Sequence, residues 1–143
     1  MKKGFTLLEL VVVIIILGVL ATLGIQQYAR MIEKARGAEA KMIIGVIRSV
    51  SAGYRLQNGN LNSPAFTSAL AGIGTATDQI PSACRVTHYF NYAVSNPTAN
   101  GITITATRCT AGGKTPNNSS AGTVILTTDF TAGTDVWSGT GGY

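Results

Sequence analysis

The pattern of apolar and polar positions divides the chain into three stretches. The first runs from Phe5 to Ile25 and is apolar almost without interruption. Its 21 residues would form a helix of about 31 Å, which is enough to cross a hydrocarbon core of about 30 Å. The pattern therefore predicts a membrane-spanning helix over residues 5–27, preceded by a short polar leader, residues 1–4.

The second stretch, residues 28–56, alternates with the period of an amphipathic helix. Ile43, Ile47, Val50 and Tyr54 recur at spacings that place them on one helical face. We expect this face to pack on a globular head. An Asn-Gly pair and then a proline follow Leu56 in the sequence and predict the end of the helix near that residue.

The third stretch, residues 57–143, predicts the head and carries three strand signals. In "RVTHYFNYAV" the side chains of Val86, His88, Phe90, Tyr92 and Val94 alternate onto one face, and "GITITATRC" and "GTVILTTDF" are similarly β-branched or alternating. Turn-rich segments separate them, which favours antiparallel pairing. The tail "TDVWSGTGGY" adds a short strand around Trp137. The segment "FTSALAGIGTATDQIPSAC" is predicted to be a connecting loop with one short helix. The expected fold is α+β, a long N-terminal helix packed on a C-terminal antiparallel sheet.

The charges are concentrated on the predicted helix. The chain has a formal net charge of +5, and residues 5–56 hold six bases and three acids, whereas residues 57–143 hold three of each. Lys34, Lys41, Arg48 and Arg55 recur every seven residues and form a basic stripe about 30 Å long. Such a stripe is typical of a solvated or inter-subunit face. Binding of DNA phosphates is the alternative, but no aromatic side chains are interleaved to stack on bases.

Two simple interpretations of the apolar stretch, a cleaved secretory signal and a plain membrane anchor, are disfavoured. Lys2 and Lys3 precede it and predict a cytoplasmic N-terminus with export of everything after Ile25. A cleaved secretory signal is disfavoured because the apolar run is long, no small-x-small site follows and the helical pattern continues. A plain membrane anchor leaves Glu9 unexplained, since an acid within a span costs up to about 2.5–3.5 kcal/mol. Glu9 therefore indicates a partner for its charge.

The segment "KKGFTLLEL" resembles the processing site of type IV pilins and of the pseudopilins of type II secretion. The resemblance implies that a membrane prepilin peptidase and N-methyltransferase cuts between Gly4 and Phe5 and methylates the new α-amine of Phe5. It further implies that Glu9 pairs with that amine on a neighbouring subunit and so sets the register of a polymer. Glu9 would then act in assembly and not in catalysis.

By this resemblance the chain is expected to be the structural subunit of a helical homopolymer, with no cofactor. A bacterial inner-membrane precursor would pass through an inner-membrane assembly platform into an extracellular pilus that serves adhesion, motility or DNA uptake. One alternative is the major pseudopilin of a type II secretion system, which stays in the periplasm and often holds calcium in a C-terminal acidic loop. Asp129 and Asp135 are the candidate calcium ligands, a small set for that ion. A specialised DNA-binding or adhesive pilin is the other alternative.

Two cysteines lie in the exported part of the chain. An oxidising compartment favours a disulfide between Cys84 and Cys109. A metal site would have only His88 to join the two thiols and is disfavoured. No arrangement of residues suggests catalysis, so we do not expect an enzyme.

Overall fold

The computed structural model describes residues 4, 6–64, 66, 80–117 and 120–143. The chain divides into two compact units, Met1–Ala35 and Arg36–Tyr143. Helix α1, Leu7–Asn58, contributes residues to both units. Within the described residues it is the one helix whose length and composition suit a membrane crossing.

In the first unit, α1 continues through the two glycines of the apolar stretch. Gly18 and Gly24 each weaken a helix by about 1 kcal/mol relative to alanine, yet both lie within α1. The Thr22 hydroxyl donates to the Gly18 carbonyl oxygen at 2.8 Å, a common arrangement for a threonine inside a helix. The predicted spanning stretch is thus helical from Leu7 onward.

The second unit contains a four-stranded antiparallel sheet in the order β1-β2-β3-β4. The strands are β1 Phe90–Ser95, β2 Gly101–Arg108, β3 Thr123–Asp129 and β4 Thr134–Thr140. Each strand pairs with the next along the chain; Ile104, for example, lies opposite Val94 on one side and Leu126 on the other. The expected α+β fold with a C-terminal antiparallel sheet is confirmed.

The core of the second unit lies between the later part of α1 and one face of the sheet. The helix contributes four buried side chains at helical spacing: Ala40, Ile44, Ile47 and Ser51. The sheet contributes Phe90, Tyr92, Ile102, Ile104, Ala106, Val124 and Leu126. The opposite face of the sheet carries threonines, and the Thr103 and Thr127 hydroxyls lie 3.5 Å apart across two strands.

The buried face of α1 is rotated from the predicted one. Of the predicted residues Ile47 is buried, Ile43 and Tyr54 are partly buried, and Val50 is exposed. The prediction followed the large apolar residues, but the fully buried positions of the helix also include the small side chains of Ala40 and Ser51.

The start predicted for the first strand is wrong, and the predicted tail strand is confirmed. The strand predicted from Val86 begins only at Phe90: Val86 is exposed, and the His88 amide donates to the Arg85 carbonyl oxygen in a turn. The alternation before Phe90 therefore did not mark a strand. The tail forms a full seven-residue strand, β4, whose residues are all exposed. Most of the connecting segment, residues 67–79, lies outside the described residues, so the short helix predicted in that segment stays a prediction.

Candidate functional site

The helix start next to the predicted cleavage point is formed by Thr6 and Glu9. The Thr6 hydroxyl oxygen accepts a hydrogen bond from the Glu9 backbone amide at 3.3 Å, as an N-cap residue does. Sequence reasoning missed this cap, although the Thr-x-x-Glu spacing of a capping box was there to find it. Gly4 is exposed, with open space where a Cβ would lie, and Phe5 lies outside the described residues.

The carboxylate of Glu9 lies at the start of an uncovered apolar surface. Glu9 is exposed, and within the part of the chain that the structure describes its carboxylate has no hydrogen-bond or ion-pair partner. Every large apolar side chain from Leu7 to Ile25 is at least 39% exposed. Such a surface is stable in lipid or against other apolar helices, but not in water.

The predicted basic stripe consists of two different pairs of residues. Lys34 and Lys41 are exposed. Arg48 and Arg55 instead bind groups on or next to the strands of the second unit. The Arg48 Nε donates to Asp135 Oδ1 at 2.9 Å. The stripe is therefore not a row of four equivalent cations.

Arg55 makes two side-chain contacts, one with the residue before β2 and one with a residue in the turn between β3 and β4. Its Nη2 donates to Asn100 Oδ1 at 2.9 Å and to Thr131 Oγ1 at 3.0 Å. Together with the Arg48–Asp135 pair, these bonds tie the later part of α1 to the residue before β2, to the turn between β3 and β4 and to the start of β4. Their role in this chain is thus intramolecular.

The two candidate calcium ligands have separate structural roles. Asp129 Oδ1 accepts from the backbone amides of Thr131 at 2.8 Å and Ala132 at 3.0 Å. The bonds from Ala132 and then Thr131 hold the pKa of Asp129 below its usual value. The Thr128 hydroxyl and the Arg48 guanidinium lower the pKa of Asp135 in the same way. The described residues contain no group of three or more His, Cys, Asp or Glu side chains placed to share a metal ion.

The two cysteines form a disulfide that ties the segment before β1 to the residue that follows β2. Cys84 and Cys109 are bonded, with their Cα atoms 5.7 Å apart. Beside them, Arg108 is buried, and its guanidinium donates to the carbonyl oxygens of Tyr89, Cys109 and Pro116 at 3.0, 3.2 and 2.9 Å. The sequence predicted the disulfide but gave no sign of this buried arginine, because arginine is rarely buried fully.

Comparison with known proteins identifies the N-terminal signal. The family described as the prokaryotic N-terminal methylation motif matches residues 1–25. The first 25 residues of this chain therefore carry the N-terminal signal of that family, and the resemblance to type IV pilins rests on them. A fimbrial protein of Neisseria meningitidis serogroup A / serotype 4A (strain DSM 15465 / Z2491) is 33% identical to it over 78 residues, which cover 54% of this chain and 44% of that protein. The chain thus spans less than half the length of this relative, and no solved structure matches it.

The comparisons bear on three of the predictions. The motif confirms the resemblance drawn from "KKGFTLLEL". With the apolar first half of α1 it supports a membrane-anchored precursor. The similarity to a fimbrial protein over 54% of this chain agrees with the expected structural subunit. The cleavage point, the pairing of Glu9 and the identity of the partners stay predictions.

Proposed function

We propose that the pilin-like chain is the subunit of a type IV pilus. A prepilin peptidase cleaves between Gly4 and Phe5, and the methylated α-amine of Phe5 pairs with Glu9 of the adjacent copy. The apolar helix surface from Leu7 to Ile25, exposed along its whole length, is the observation that carries the proposal. Lipid covers this surface in the precursor, and the same helices of other copies cover it in the filament.

The charge pair selects the register of the bundled helices. Two helices with only apolar side chains can pack in several axial registers. A carboxylate in an apolar environment is stable only in a register that places a cation next to it. Removing one partner of a buried ion pair costs about 3–5 kcal/mol. That cost lowers the equilibrium constant for adding each subunit by roughly two to four orders of magnitude.

The test measures filament yield in cells that carry Glu9→Ala or Glu33→Ala. Glu33 is a matched control because it is a glutamate of the same helix that lies beyond the apolar stretch. We expect Glu9→Ala to insert in the membrane normally but to give few sheared filaments, and Glu33→Ala to assemble. A normal yield from Glu9→Ala would refute the role of Glu9.

Processing is tested on the same filaments by mass spectrometry of the intact chain and of its N-terminal peptide. We expect a chain that begins at Phe5 and carries one methyl group on the α-amine. A filament chain that begins at Met1 contradicts the proposed cleavage.

A pilus is favoured over a pseudopilus by two observations. The relative that matches is a fimbrial protein, and both candidate calcium ligands already serve the fold, Asp129 in a turn and Asp135 with Arg48. We therefore expect long surface fibres in electron micrographs and a thermal midpoint that chelation of calcium does not change. A fall of the midpoint on chelation supports the pseudopilin instead.

A further inference from the structure

Two basic side chains lie next to each other on α1, shortly after the apolar stretch. Arg30 and Lys34 are four residues apart, a spacing that places neighbouring side chains on one helical face. Both are exposed, and within the described residues neither has a hydrogen-bond or ion-pair partner. Both belong to the first unit, Met1–Ala35. We call these two residues the basic pair.

The basic pair is unfavourable for the helix on its own. Two like charges at this spacing repel and destabilise a helix, whereas an anion bound between them relieves the repulsion. Glu33, the nearest acid in the sequence, makes an interaction of its own. It also lies about 60° around the helix from Arg30 and about 100° from Lys34. The basic pair is therefore suited to an anion from outside the chain.

The position of the basic pair along α1 corresponds to the headgroup layer of a membrane that the apolar stretch spans. At about 1.5 Å per residue, Arg30 follows Ile25 by about 7.5 Å and Lys34 follows it by about 13.5 Å. Side chains of a helix point toward its N-terminus and cover the preceding turn, which here is the direction of the bilayer. The headgroup layer is about 5–7.5 Å thick on each side of the hydrocarbon core. The guanidinium thus lies within this layer, and the ammonium lies at its outer edge.

We propose that the basic pair binds the phosphate of an anionic phospholipid in the leaflet on the export side of the membrane. This inference rests on the membrane-inserted state of the proposed function. Anionic headgroups attract lysine and arginine side chains next to a membrane span, and a guanidinium offers two parallel donors to phosphate oxygens. A zwitterionic headgroup has no net charge, so we expect it to bind the pair more weakly.

The basic pair acquires a further role after the proposed cleavage. Cleavage between Gly4 and Phe5 removes Lys2 and Lys3, and residues 5–29 contain no lysine or arginine. The basic pair then provides the first cationic side chains of the processed chain. Its attraction to lipid phosphate holds that chain at a fixed depth in the bilayer and adds to the work of extracting it for assembly.

The experiment identifies the lipid next to this face of α1 by the quenching of tryptophan fluorescence by brominated acyl chains. Leu23 precedes Arg30 by seven residues and Lys34 by eleven, so it lies on the same helical face within the apolar stretch. Leu23 is 60% exposed. Leu23→Trp combined with Trp137→Phe places the single tryptophan of the chain at this position. The full chain is reconstituted in phosphatidylcholine vesicles, in which brominated phosphatidylglycerol or brominated phosphatidylcholine replaces a rising fraction of the lipid.

We expect brominated phosphatidylglycerol to quench the new tryptophan at a lower mole fraction than brominated phosphatidylcholine. Arg30→Gln and Lys34→Gln should each reduce this preference about fivefold, which corresponds to about 1 kcal/mol per basic side chain, and the double variant should abolish it. Lys41→Gln is the matched control, because Lys41 is also an exposed lysine of α1 but follows Lys34 by seven residues, or about two helical turns. We expect it to keep the preference, with far-UV circular dichroism verifying the helix in each variant.

Three results would overturn the proposal. One is equal quenching by the two lipids when both bases are present. Another is a preference that survives in the double variant; if that variant also assembles few filaments, the basic pair belongs to a contact with a second copy. The third is an equal loss from Lys41→Gln, which would indicate attraction to the whole basic helix. The vesicles contain no assembly machinery and the same lipids in both leaflets, so neither a failure of filament assembly nor the orientation of the chain affects the outcome.

Discussion

Gly37 lies on the buried face of α1, where the ring of Tyr143 fills the space of a missing side chain. A Cβ at position 37 would lie 2.8 Å from Tyr143 Cδ1 and 2.9 Å from Tyr143 Cβ. Carbon atoms pack best at about 3.5–4.0 Å, so the ring would have to move. Its space is limited, because it also contacts Gly122 and Gly141 and packs edge-on against Phe90 with the centroids 5.3 Å apart.

Two opposing effects set the stability of Gly37→Ala. Alanine improves the helix by about 0.8–1 kcal/mol over glycine, and overpacking costs about 1–3 kcal/mol. Gly45→Ala separates them, since Gly45 lies in the same helix with open space around its Cβ position. We expect Gly45→Ala to be stabilised by about 1 kcal/mol and Gly37→Ala to be about 1–3 kcal/mol less stable than this control.

The assay is thermal unfolding of the full chain in detergent, followed by near-UV circular dichroism. For the second unit, residues 36–143, 1 kcal/mol corresponds to a change of about 4 °C in Tm. Both substitutions are also made in a Tyr143→Ala background, in which the ring is absent. There we expect Gly37→Ala to stabilise the protein as Gly45→Ala does. Equal shifts of Tm for the two variants in the wild-type background would refute the packing argument.

Three further predictions concern the head. Replacing both Cys84 and Cys109 by alanine opens a loop with a separation of 25 residues and should lower the free energy of unfolding by about 3.5 kcal/mol in a urea titration; an unchanged midpoint contradicts it. Arg108→Met leaves three carbonyl oxygens without their donor and should cost about 2–4 kcal/mol in the same titration, with Arg108→Lys in between. Because the pKa of Asp135 is lowered in the fold, its stabilisation is present above the ordinary aspartate pKa and is lost as the pH falls through the lowered value. Tm should thus fall on acidification in that range, and less so for Asp135→Asn, whereas equal acid profiles would exclude this linkage.

The sequence predicted best those features that arise from long, regular patterns. The apolar run of α1 and the alternation of Ile102, Ile104 and Ala106 in β2 each correspond to an element of the structure. The disulfide followed from the number of cysteines and the expected compartment. In these cases local periodicity and chemistry agree with the tertiary environment.

Features that depend on partners distant in sequence were not predicted. Gly37 and Ser51 carry no apolar signal, yet they lie on the buried face of α1 because the sheet and Tyr143 approach there. The contact of Arg48 with Asp135 joins residues 87 positions apart. A heptad of basic residues does not reveal that half of them face the head, since periodicity defines a helix face but not what lies against it.

In the proposed filament, the uncovered first half of α1 has a consequence for the energetics of adding and releasing subunits. Transfer of the helix from the bilayer to a bundle of identical helices exchanges one apolar environment for another. The hydrophobic effect therefore contributes little to the free-energy difference between the two states. The balance then depends on close packing and on the proposed Glu9 charge pair. A polymer poised in this way is expected to release its subunits back into the membrane under modest mechanical work, so that the same reservoir of chains serves repeated cycles.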